Sequence, residues 1–86
     1  MVNPQKLFQR LVSGSRDLRF DDFQAILRAF GFVLRRINGS HHIYTHPRLQ
    51  RPFPIQPRND GKAKSYQVDQ FLKLVETHGL TFEKDE

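Results

Sequence analysis

"FVLRRINGSHHIYT", Phe32 to Thr45, is the stretch on which the fold turns. Two runs rich in β-branched, aromatic and aliphatic residues flank Asn38-Gly39, and Asn-Gly between such runs is the strongest short-range signal for a β-hairpin. With Asn38-Gly39 as the two-residue loop, Ile37 faces Ser40, Arg36 faces His41, Arg35 faces His42, Leu34 faces Ile43, Val33 faces Tyr44 and Phe32 faces Thr45. That register places Phe32, Leu34 and Ile43 on one face, expected to lie under helices, with Arg36 and His41 at its rim. Val33, Tyr44, Arg35 and His42 then form a more open, aromatic and basic surface.

Working outward from the hairpin, the apolar period becomes helical. On the N-terminal side, Phe23, Ile26, Leu27 and Phe30 form an i, i+3, i+4, i+7 stripe that Gly31 closes, and Asp21-Asp22 suit the positive end of that helix. Further upstream, Asn3 before Pro4 is an N-cap with proline at the first helical position, and Leu7, Phe8 and Leu11 continue a short helix to Val12. Ser13-Gly14-Ser15 is a turn. On the C-terminal side, Phe53 to Gln56 reads as a third strand, restricted to an edge by the prolines at 52, 54 and 57. Ser65 is the expected cap of a last helix carrying Val68, Phe71, Leu72 and Val75 and ending at His78-Gly79, after which Glu83 to Glu86 reads as a frayed tail. The order α-α-β-β-β-α, with a three-stranded antiparallel sheet packed on helices, is an α+β class resembling a double-stranded-RNA-binding domain.

At 86 residues the chain is one domain with a modest core, to which its eight phenylalanines contribute. There is no cysteine, hence no disulfide framework and no thiolate metal cluster. With no signal-peptide pattern and no apolar run near the roughly 20 residues that span a bilayer, the expectation is a soluble cytoplasmic protein. Fourteen Lys and Arg against nine Asp and Glu give a formal charge of +5. The excess concentrates in one region. Between Arg35 and Lys64 a single acid, Asp60, stands against Arg35, Arg36, Arg48, Arg51, Arg58, Lys62 and Lys64. Such a stripe either solvates the surface or binds phosphates.

The adjacent histidines admit three readings. A metal site is the poorest. Neighbouring strand residues point to opposite faces, His42 and His46 would lie about 13 Å apart at roughly 3.3 Å per residue, and no carboxylate cluster completes a ligand set. A second reading makes them tolerated strand residues, or groups that orient RNA by stacking and hydrogen bonding. The third makes one of them an acid/base catalyst on a polyanion: a histidine among arginines can take the ribose 2′-OH proton while cationic donors steady the phosphate. Spacing alone does not choose between His41 and His42.

The segment "GFVLRRINGSHHIYTHP" resembles the signature of the HicA toxin family, in which a helix ends at Gly-Phe and a strand leads to Gly-Ser-His. Gly31-Phe32, Gly39-Ser40-His41, Tyr44 and His46-Pro47 carry the match, and "YQVDQFLKLVETHGL" is similar to the family's closing helix. The resemblance implies a metal-independent endoribonuclease acting on mRNA, with no cofactor, silenced by a HicB-like antitoxin. It also implies that the histidine after Gly-Ser, His41, is the catalyst, with Gly39, Ser40, His42 and Tyr44 in support. Arg35, Arg36, Arg58, Lys62 and Lys64 are the expected phosphate contacts from charge and position. Residues 1–19 form an N-terminal helical extension, 20–80 the core and 81–86 the tail. The alternative is a non-catalytic RNA-binding module that uses the basic stripe and Tyr44.

Overall fold

A computed structural model describes residues 3–83. Helix α1 (Pro4–Val12) starts as its sequence predicts: the Asn3 side chain accepts from the backbone N–H groups of Gln5 and Lys6. Helix α2 (Phe20–Ala29) ends where Gly31, at φ +94°, lets the chain reverse, so that Gly31 N–H donates to Arg28 O and Phe32 N–H to Leu27 O. This pair of bonds satisfies carbonyls that the helix end would otherwise leave open. Strands β1 (Val33–Asn38), β2 (His41–Thr45) and β3 (Phe53–Ile55) follow, then helix α3 (Ser65–His78). The sheet is antiparallel in the order β1-β2-β3, which makes β3 an edge strand and tolerates Pro54 at its centre. The result is an α+β fold of the double-stranded-RNA-binding-domain type.

The core lies between the sheet and the helices. Phe23, Ile26 and Leu27 of α2, Val68 and Phe71 of α3, and Tyr44 and Ile55 of the sheet have no exposed surface. Burial of each such side chain contributes about 1.5–3 kcal/mol. Helix α1 joins this core through Phe8, whose ring meets Phe30 at 4.9 Å, Phe82 at 5.5 Å and Phe71 at 6.2 Å between centroids.

Four expectations need correction. The hairpin loop is Gly39-Ser40, not Asn38-Gly39: Asn38 pairs with His41, Ile37 with His42 and Arg36 with Ile43. Gly39 alone carries a positive φ, +63°, the pattern of a II′ turn with glycine at its first central position. Secondly, a bulge at Arg35 changes the phase of β1, so Leu34 pairs with Tyr44 and Val33 with Thr45. The apolar residues of β1 therefore do not share one face. The helix-covered face carries His42 and Tyr44, flanked by Ile55 and Phe53 of β3, and the uncovered face carries His41, Ile43 and Thr45. Thirdly, Lys64 is the N-cap of α3 and Ser65 its first residue, with no side-chain capping bond. The bond from Ala63 N–H to Leu18 O holds the chain extended up to that point. Finally, Glu83 is not frayed. Its N–H donates to Ala29 O at 2.8 Å, and Phe82 packs on Phe30 with 4.3 Å between centroids. The remainder of the expected frayed tail, residues 84–86, lies outside the described residues.

Candidate functional site

The Gly39-Ser40 turn delivers two histidines in opposite directions. His41 is exposed on the uncovered face beside Asn38, and its ring makes no hydrogen bond among the described residues. His42 turns inward. Its ring stands edge-on to Phe20 at 4.9 Å, and its Nδ1 lies 3.0 Å from Ser40 O, which as a carbonyl can only accept, so Nδ1 carries the proton. Ser40 places its hydroxyl 3.4 Å from Gln56 Oε1, and Gln56 N–H in turn donates to the buried Gln67 side chain at 3.1 Å. The hairpin tip is thereby tied to β3 and α3.

The inward row continues with residues whose polar atoms are all engaged. Tyr44, expected on an open surface, is buried, and its hydroxyl donates to Gln24 Oε1 at 2.7 Å. Burial pushes its phenol above the ordinary value, partly opposed by the Arg28 guanidinium nearby. His46 is buried too: Nε2 donates to Phe30 O at 2.9 Å while Nδ1 accepts from Arg48 N–H at 3.1 Å. Those partners together require a neutral ring of one tautomer and join the end of β2 to the end of α2.

The expected phosphate contacts fall into two groups. Arg36 is exposed and paired with Ile43, hence on the same face as His41, while Arg35, in the bulge, donates from Nε to Thr45 Oγ1 at 2.9 Å. Arg58 and Lys62 lie on the loop between β3 and α3, and both are already paired: Arg58 with Asp60 at 2.7 Å and Lys62 with Asp17 at 2.6 Å. The hydrogen bond and charge of Lys62 hold the Asp17 carboxyl below the usual carboxylate range. Lys64 shares a shallow recess with Ser40, Gln56, Arg58 and Asp60. The site as read from the sequence is thus split: His41 and Arg36 stand together, Ser40, Arg58 and Lys64 stand together on the other side of the turn, and Tyr44 belongs to the core.

Sequence reasoning missed one feature. A groove of about 1030 Å³ is lined by His41, the 48–52 segment, β3 and one side of α3. No local spacing joins α3 to the hairpin, so the juxtaposition is tertiary. A sign of it exists all the same: Tyr66, Gln70, Lys73 and Thr77 follow each other at helical spacing without an acid, whereas Asp69 and Glu76 occupy other positions of the helix. Among the described residues, no three His, Asp or Glu side chains come together as metal ligands, and no helix is long and apolar enough to cross a membrane.

No curated protein and no solved structure matches the chain. A family does: the model of the HicA toxin of bacterial toxin-antitoxin systems matches residues 20–77, from the first residue of α2 nearly to the end of α3. The match takes in the hairpin, the Gly-Ser-His turn, the smaller recess and all of the groove's lining but His78, and leaves α1 outside it. The chain belongs to the HicA toxin family.

Proposed function

We propose that this toxin is an endoribonuclease that cleaves mRNA, with His41 as the acid/base group, in the cytoplasm and under the control of a HicB-like antitoxin. The observation that carries the reading is the contrast between the imidazoles of β2 and its continuation: His46 has both ring nitrogens engaged and His42 one, while His41 is exposed with neither ring nitrogen bonded among the described residues. The family supplies the toxin role and a partner antitoxin.

The chemistry needs little else. Neutral His41 accepts the ribose 2′-OH proton, the 2′-oxygen attacks the adjacent phosphorus, and the bond to the 5′-oxygen breaks as that oxygen takes up a proton. The products are a 2′,3′-cyclic phosphate and a 5′-hydroxyl. Arg35 and Arg36 on the uncovered face supply positive charge where the phosphate gains negative charge, and Arg58, Lys62 and Lys64, apart from His41, attract more distant phosphates of the strand. Gly39 and Ser40 aim the histidine, and His42 anchors the strand beneath it. A HicB-like partner that covers the uncovered face would silence all of this by exclusion.

The test is cleavage of a long single-stranded RNA in excess EDTA by the unmodified protein, His41→Ala and His42→Ala, with circular dichroism to confirm folding. Loss of cleavage in a folded His41→Ala protein supports the assignment. Loss only in a folded His42→Ala protein transfers the role to the inward ring, and intact RNA bound by the unmodified protein removes the catalytic reading.

A further inference from the structure

We infer that the groove beside His41 is the track for single-stranded RNA, with Arg48, Arg51 and Lys73 as its phosphate contacts and Tyr66 as the platform on which an unpaired base stacks. The inference rests on the ribonuclease reading above and assigns its substrate path to residues outside the basic set expected from the sequence.

Three observations carry it. The first is charge. The groove's lining contains Arg48, Arg51 and Lys73 and no aspartate or glutamate, and among the described residues none of these three cations lies in an ion pair. Arg58 and Lys62, by contrast, already have carboxylates at 2.7 and 2.6 Å. A phosphate entering the groove meets cations that release only water and counterions, whereas on the 58–62 loop it must compete with Asp60 and Asp17.

The second is an exposed ring. Tyr66 sits in the first turn of α3 with 56 % of its surface accessible, among the polar side chains of Gln70 and Lys73. The chain's core had room for aromatic rings: Tyr44 and the rings of Phe23, Phe30 and Phe71 are all buried. A tyrosine left on the surface of a cationic groove offers a π-face that any unstacked base can use. Bases inside a duplex are stacked on each other and cannot do so, which selects single-stranded RNA.

The third is position. His41 belongs to the same groove, so a strand lying on Arg48, Arg51 and Lys73 passes the group assigned to the chemistry. Gln70 adds an amide that can both donate to and accept from a base edge. A volume of about 1030 Å³ is at the upper end for a drug-sized ligand and suits a few nucleotides of one strand.

The experiment separates binding from cleavage. Affinity for a short single-stranded oligoribonucleotide is measured in the His41→Ala protein, which leaves the probe intact, across a salt series and with an RNA duplex as competitor. Into that protein are introduced Tyr66→Ala, the triple change Arg48→Gln, Arg51→Gln, Lys73→Gln, and, as a charge control on α1, Lys6→Gln with Arg10→Gln. The triple variant is expected to flatten the dependence of log affinity on log salt by about 2, from roughly 0.7 per phosphate lost. Tyr66→Ala is expected to weaken binding about tenfold. The α1 control should bind as its parent does, and the duplex should compete poorly.

Unchanged affinity and salt slope in both groove variants would overturn the inference. If those same variants lose association with the antitoxin instead, the groove is a protein-docking surface. Equal competition by duplex would remove the stacking role of Tyr66. Should the unmodified protein bind RNA through the groove yet never cleave it, the catalytic reading fails and the track stands; no RNA binding even at low salt removes both.

Discussion

His41 and His42 are bonded neighbours on one strand, and they are in opposite situations. His42 shares the helix-covered face with Tyr44 and His46, and along that row each polar atom with a described contact has one definite partner: the Ser40 carbonyl, the Gln24 amide, the Phe30 carbonyl and the Arg48 N–H. His41 shares the other face with Ile43 and Thr45 and opens into the groove with no partner for its ring among the described residues. Strand alternation therefore divides labour within a single dipeptide. His46, bonded through both ring nitrogens, ties the end of β2 to the end of α2, and His42, bonded through one, packs its ring on Phe20; His41, with neither ring nitrogen bonded among the described residues and kept at the surface where water solvates it without penalty, is available for chemistry.

The strongest way to break this comparison is to exchange the two faces' expected phenotypes by mutation. Removing the imidazole at His41 should lower RNA cleavage about 10²- to 10⁴-fold, the span typical for a general acid/base group. Because the side chain is exposed, stability should stay within about 0.5 kcal/mol of the parent in urea denaturation. His46→Ala should do the reverse. It empties a buried site and leaves Phe30 O and Arg48 N–H without partners, a loss of about 2–4 kcal/mol. For a domain whose total stability is on the order of 5–10 kcal/mol, that change should lower the urea midpoint strongly. Folded His46→Ala protein should nonetheless cleave at the parent's rate per folded molecule. A stable variant that has lost turnover would mean that His46, not His41, serves the chemistry.

Much of the fold was legible because its signals are local. The Asn3-Pro4 start, the α2 stripe stopped by Gly31 and the αL glycine at the end of α3 each depend on a few adjacent residues. The division of the hairpin between faces was not. Asn38-Gly39-Ser40 contains two possible two-residue loops around the same glycine, and only the fold shows that Gly39 takes the first central position. The bulge at Arg35 then moves Leu34 from the company of Ile43 to that of Tyr44, so the count of apolar residues per face pointed the wrong way. Tyr44 reads as an exposed aromatic until Gln24, twenty residues upstream, supplies its hydroxyl with an acceptor. The groove was hidden for a related reason: it joins residues 41, 48–52 and 66–78, which no period in the chain brings together.

Tyr44→Phe tests the buried row more gently. It removes one hydrogen bond and leaves Gln24 Oε1 to find water, a cost of about 1 kcal/mol at neutral pH. The cost should shrink in alkali. Burial raises the folded-state pKa of Tyr44, so above about pH 10 the unfolded chain releases the phenol proton first and the folded state is progressively disfavoured as pH climbs through the folded value. The phenylalanine variant has no such proton. Denaturation curves of the two proteins should therefore converge between neutral pH and alkali; a gap that stays constant would mean that the hydroxyl ionises as freely in the fold as outside it.

The smallest expected effect applies the same contrast to the cations. Lys62 is engaged by Asp17 at 2.6 Å, in a pair whose side chains are 43 % and 75 % exposed. The depressed pKa of Asp17 means the pair contributes above the ordinary carboxylate range and is lost as pH falls through the folded value, yet its exposure lets solvent and salt screen most of that contribution. Asp17→Asn should accordingly leave the urea midpoint at pH 7 nearly unchanged. What it alters is availability: Lys62 becomes an unpaired cation like Arg48 or Lys73, and at low salt RNA affinity should rise, by at most about threefold, with the gain vanishing as salt is added. An increase confined to low salt would show that the acidic partners of the 58–62 loop restrain its cations, and hence that the unpaired groove gains its preference for RNA by having no such partners. If affinity is unmoved at every salt concentration, Lys62 lies off the strand's path altogether and the positive charge that matters is confined to the side of the molecule that His41 faces.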